Sequence, residues 1–117
     1  MLTSFGKFLR ILRINNGEIL KDMADKLNVS VSFLSAVENG KKEVPSLWEE
    51  KIADIYSLNS NEKDKLAEAI LKSKKEVKIS LQELDDQDKD IVLEFARKFS
   101  DLDQQTKQNI MKYLVHK

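Results

Sequence analysis

The sequence contains no cysteine, which removes disulfide staples and thiol chemistry together. It has one histidine, His116, beside the C-terminus, and neither a glycine-rich phosphate cradle nor a metal-ligand spacing. An enzyme is therefore not expected, and no catalytic residue, cofactor or metal is assigned. No apolar run approaches the ~18–20 residues that span a bilayer. Met1–Leu12 lacks the charged leader, apolar stretch and small-residue cleavage site of a signal peptide. The expectation is a soluble, cytoplasmic chain with no membrane partner. An excess of charge of one sign is missing as well, since 20 basic groups balance 20 acidic ones. The global positive field behind non-specific nucleic-acid binding is thus absent, and any DNA contact has to come from a local basic face.

What is present favours helices. Glycine and proline are scarce at three and one, and Leu, Ile, Ala, Lys and Glu dominate. The 117 residues suffice for one modest core, or for a small domain with an appendage. Apolar residues at helical spacing predict helices over 4–16, 19–27, 31–39, 46–56 and 61–74. Ser4 reads as the first N-cap, Gly17 as a left-handed stop, and Pro45-Ser46 as the opening of the fourth helix. Phe5, Phe8, Leu12, Met23, Leu27, Leu34, Val37, Leu47 and Ile52 read as core, and Trp48 as a packing residue or part of an interface. Glu76-Val77-Lys78-Ile79-Ser80-Leu81 then alternates polar and apolar, the signal of either a short strand or an extended linker. Two more helices are predicted. One spans 86–99, capped by Asp85 or Asp86 with acids crowding its first turn, where the helix dipole favours them. The other spans 103–115.

The most informative stretch runs from Met23 to Gly40. Two short helices meet there across the turn Asn28-Val29-Ser30. Ala24 is small where the helices touch. Asn28 suits a positive φ. Val29 plugs the corner, Ser30 caps the third helix, and Leu34 and Val37 seat it on the core. As a whole, residues 5–58 resemble the XRE family of helix-turn-helix regulators, the lambda-repressor-like DNA-binding domain. The resemblance runs through Leu9-Arg10-Ile11-Leu12-Arg13 with Gly17, through Met23 to Ser30, through Leu34 to Lys41, and through Pro45-Ser46-Leu47. It implies that the third helix enters the major groove of double-stranded DNA, with Val31, Ser32, Ser35 and Ala36 facing base edges. It implies also that Asn39, Lys41 and Lys42 touch phosphate. Arg13 and Glu38 match the family's ion pair between helix one and the end of helix three.

Two features depart from the family pattern. The start of helix two, where a polar residue such as Gln is common, carries Leu20 after Ile19. The reading face has no Arg, Gln or Asn to pair bidentately with a base; Val31 and Ala36 suit thymine methyls, and Ser32 and Ser35 suit single hydrogen bonds.

The expected architecture is all-α. A five-helix lambda-repressor-like helix-turn-helix domain occupies 1–75, and a short extended segment and a C-terminal helical hairpin occupy 76–117. Phe95, Phe99, Leu102, Ile110, Met111 and Leu114 form apolar faces too large to leave wet, so a homodimer or a protein partner is expected to cover them. Two functions fit. One is a dimeric repressor on a palindromic operator. The other is an antitoxin-type protein, whose C-terminal half binds and inhibits a partner such as a toxin while its helix-turn-helix half autoregulates its operon. Lys72, Lys74, Lys75 and Lys78 read as a solvated face.

Overall fold

Helix stops are written into the first half of the chain with unusual regularity, and they organise the fold. The computed structural model describes residues 1–116, which hold seven α-helices, one 3-10 turn and no strand. The helices are α1 (Ser4–Asn15), α2 (Leu20–Leu27), α3 (Val31–Glu38), α4 (Trp48–Ile55), α5 (Ser60–Lys72), α6 (Asp86–Lys98) and α7 (Gln104–Val115), with the 3-10 turn at Phe99–Asp101. Each of α1 to α4 is followed by a residue of positive φ: Gly17 at 64°, Asn28 at 58°, Gly40 at 76° and Ser57 at 49°. The next amide then donates back across the helix end. Glu18 N reaches Arg13 O at 2.9 Å, Val29 N reaches Ala24 O at 3.0 Å, Lys41 N reaches Ala36 O at 2.8 Å and Leu58 N reaches Ala53 O at 3.0 Å. These bonds satisfy carbonyls that the helix itself leaves open. Ser57 does this without any signal in its residue type.

The chain divides into two units, Met1–Val77 and the part from Lys78 onward, two residues beyond the expected boundary. In the first unit α1 packs on α3 and α5, α2 on α3 and α4, and α4 on α5. Phe5, Leu9, Met23, Leu27, Leu34, Val37, Ile52 and Leu66 are sealed from solvent at the centre, and Phe8 and Phe33 pack against them partly buried. Trp48 is buried, with its ring 6.3 Å from that of Phe5 and edge-on to Phe33 at 5.9 Å.

Two expectations about this unit need correction. The first N-cap is Thr3, not Ser4: the Thr3 hydroxyl accepts from Gly6 N at 3.1 Å while donating to Glu38 O at 3.1 Å. A tertiary acceptor decides between two adjacent hydroxyls. Leu47 is 73% exposed rather than core. Pro45 O accepts from Trp48 N in a turn before α4, so the helix starts at Trp48 and Trp48 takes the buried place.

In the second unit, Asp85 caps α6 by accepting from Asp88 N at 2.8 Å, and Asp103 caps α7 by accepting from Thr106 N at 2.7 Å. Glu76–Leu81 is not a strand: its alternation has no neighbour to complete a ladder, and its residues lie exposed or half-buried. The expected hairpin does not form either, because α6 and α7 do not pack along one another. α7 meets the end of α6 only at the joint, where Lys107, in its first half, sets Nζ 4.8 Å from the Phe99 ring centre. Among the described residues no helix is long and apolar enough to cross a membrane.

Candidate nucleic-acid interface

The corner from Glu38 to Lys42 is tied to α1 through the buried Glu38. α1 grips Glu38 at both its backbone and its side chain. At the start of α1, Thr3 N and the Thr3 hydroxyl both donate to Glu38 O, at 3.0 and 3.1 Å. Near the end of α1, Arg13 meets the Glu38 carboxylate in a two-pronged pair, Nη1 to Oε2 at 2.5 Å and Nη2 to Oε1 at 3.1 Å. Arg13 is 8% exposed and Glu38 3%, so this is a buried ion pair. Arg13 Nη1 also lies 3.4 Å from Met23 Sδ. A side chain at Gly6 would place its Cβ 2.3 Å from Glu38 O, so the approach of α1 to α3 depends on that glycine. Ser73, at the end of α5, accepts from Phe5 N at 2.9 Å and holds the same helix start from the other side.

This frame positions the residues singled out in the sequence. Val31 and Ser32 are exposed at the start of α3, and Ser35 and Ala36 are half-buried one turn on. Ser30 caps the helix by accepting from Phe33 N at 3.0 Å, while Leu34 and Val37 are buried beneath. Lys41 N and Lys42 N both donate to Ala36 O, at 2.8 and 3.2 Å, which folds the corner back over the end of α3. Both lysine side chains are exposed, and among the described residues neither forms an ion pair. Asn39 stands differently. Its amide donates to Ser35 O at 2.9 Å, so it closes the last turn of α3 and is less free to reach outward.

Arg13, Glu38, Asn39, Lys41 and Lys42 therefore come together at one corner. Phe95, Phe99, Met111 and Leu114 belong to the second unit and are exposed, with Leu102 and Ile110 half-buried. Sequence reasoning missed Thr3 and Gly6. A lone glycine inside a helical pattern does mark close backbone approach, and Gly6 carried that signal.

A second polar cluster braces α2 against α4. Glu18 pairs with Lys26 and accepts from the Tyr56 hydroxyl at 2.7 Å, and Lys26 Nζ lies 5.0 Å from the Tyr56 ring centre. Burial alone would raise the Glu18 carboxyl, but the hydrogen bonds from Lys26 and Tyr56 outweigh it and hold it below the usual carboxylate range. Burial, and then Glu18, push the Tyr56 hydroxyl upward, so it stays a neutral donor. Lys51 Nζ donates to Leu27 O at 3.1 Å and adds a further tie across the same helices. Among the described residues no group of three or more His, Asp or Glu side chains stands close enough to share a metal ion. No family model, curated protein or solved structure matches the chain.

Proposed function

We propose that this chain is a DNA-binding transcriptional regulator with a lambda-repressor-like helix-turn-helix domain of the XRE kind, acting as a dimeric repressor in the cytoplasm. The observation that carries the reading is the double grip of α1 on Glu38. It fixes a corner whose two free cations, Lys41 and Lys42, stand beside the exposed start of α3. In this reading α2, the left-handed Asn28 and α3 form the recognition unit, and α3 enters the major groove. Lys41 and Lys42 neutralise phosphates and set register, while Val31, Ser32, Ser35 and Ala36 meet base edges. Thymine methyls suit Val31 and Ala36. The thin hydrogen-bonding capacity of this face leaves part of the selectivity to DNA shape.

Selection of bound sequences from random duplex DNA tests the reading, with a palindromic consensus as the expected product; failure to enrich any duplex overturns it. The phosphate assignment has its own test. Lys41→Glu with Lys42→Glu should weaken binding to all sequences alike and flatten its salt dependence by about one unit of slope per lost contact. An unchanged slope removes both lysines from the interface.

A second reading is favoured by one observation, the absence of any buried residue in α6 and α7. In it the C-terminal half belongs to a partner protein, in the manner of an antitoxin. That reading expects the chain to co-purify with a small toxic protein encoded beside it and to suppress its toxicity.

A further inference from the structure

The second unit covers its apolar face only in part: Phe95 packs on Phe99 at 5.4 Å between ring centres, and Lys107 Nζ lies 4.8 Å from the Phe99 ring centre. Along α6, Ile91 and Phe95 follow one another at a single helical turn, with Phe99 one turn on at the start of the 3-10 turn, and the three are 62%, 44% and 46% exposed. The same face carries a charge. Asp88, Val92, Phe95 and Phe99 are spaced four, three and four residues apart, the spacing of a helix–helix seam. A carboxylate in such a seam is tolerated while wet, but on burial it has to meet a cation. Lys98 flanks this face at the other end of α6.

The spacing of these groups is symmetric. Along the axis, the midpoint of Ile91 and Phe95 falls at Leu93, with Asp88 five residues before it and Lys98 five after. Two α6 helices laid antiparallel about that point bring Ile91 of each against the partner's Phe95, and Asp88 of each beside the partner's Lys98. We propose that the chain self-associates through α6 in an antiparallel, two-fold pair, registered by reciprocal ion pairs between Asp88 and Lys98 of the two copies. The charge gradient of α6 supports this orientation. Asp85, Asp86, Asp88 and Asp90 outnumber Lys89 at its start, and Arg97 and Lys98 outnumber Glu94 at its end. A parallel pair would set Asp88 against itself. Within one chain Lys98 lies 3.3 Å from Glu94, but both side chains are more than half exposed, and so weak a pair does not hold the lysine back.

α6 is about 20 Å long, so one such helix pair covers only part of the about 800 Å² per partner typical of a stable dimer. The exposed Met111 and Leu114 of α7 extend the apolar surface available. This names the partner in the dimeric reading above, but it uses no DNA contact, so either can fail without the other.

Sedimentation equilibrium on the full chain is the test. The wild type should dimerise, and Asp88→Lys and Lys98→Asp should each weaken the dimer about tenfold or more by placing like charges together. An equal mixture of the two variants should recover wild-type association, because both ion pairs in the mixed dimer are again of opposite sign. Asp90→Lys, off the seam, should change little. Trp48 fluorescence, which reports the first unit, and helix content by circular dichroism verify that each variant is folded. A wild type still monomeric at about 100 μM, or a mixture no tighter than its components, overturns the proposal.

Discussion

Removing Arg13 should be among the most damaging single changes in the first unit. Arg13→Ala deletes both hydrogen bonds to Glu38 and leaves a carboxylate on a residue that is only 3% exposed. Breaking a buried pair by removing one partner costs about 3–5 kcal/mol, most of it the penalty of the stranded charge. A unit of this size has a total stability of about 4–12 kcal/mol, so the variant should lie close to its unfolding threshold. Glu38→Ala should cost a similar amount by stranding the guanidinium, although the Glu38 carbonyl would keep its bonds from Thr3. Replacing both by apolar residues of similar volume, Arg13→Met with Glu38→Leu, should be much milder than either truncation. Urea unfolding followed by Trp48, the only tryptophan and buried between Phe5 and Phe33, reads all three variants. Single-variant losses below about 1 kcal/mol would put the pair in the class of exposed bridges. In the matching cycle, a double variant Arg13→Ala with Glu38→Ala as unstable as the sum of the two truncations would show that the partners do not interact.

Two further changes probe the backbone that positions the corner. Gly6→Ala should destabilise by about 1–3 kcal/mol despite alanine's better helix propensity, because its Cβ would stand 2.3 Å from a backbone oxygen that cannot swing away; a neutral or higher urea midpoint refutes the close approach. Ser57→Gly should raise stability by about 0.5–1 kcal/mol by relieving a left-handed serine, and a loss in the same measurement shows that the serine side chain matters more than its φ of 49°.

The parts of this fold that were legible in the sequence are those fixed within a few residues. Asn28 announces a left-handed stop and Ser30 a cap, because each acts on backbone next to itself, and both take those roles. The Arg13–Glu38 pair spans 25 residues and was reached only through family resemblance. What escaped depends on a distant partner. Thr3 and Ser4 are equivalent caps until Glu38 O is brought up to Thr3. Leu47 and Trp48 are both apolar at the head of α4, and only the space between Phe5 and Phe33 decides which goes inside. In the second unit the composition shows apolar residues on both helices, but a hairpin also needs those faces to meet, and α6 and α7 do not pack along one another, a matter of tertiary geometry that helical spacing alone does not carry.

Charge then connects the corner with α6. The chain is neutral, and around the corner Lys41 and Lys42 are followed by Glu43, with Glu49 and Glu50 in the first turn of α4. Two phosphate contacts per copy give a salt slope of only about −1.8, too little electrostatic attraction for one copy to hold DNA tightly. Joining two copies makes the second engagement intramolecular and raises affinity by about 10²–10⁴-fold without any new contact. Asp88→Lys, which touches no DNA in this reading, should therefore lower affinity for a two-half-site duplex by about 100-fold at protein concentrations below its own dimer constant, and leave affinity for a single half-site unchanged. Fluorescence anisotropy on the two duplexes measures both. Equal losses on the two would mean that α6 acts on the reading helix itself, and unchanged affinity on both would mean that α6 does not join the two bound copies.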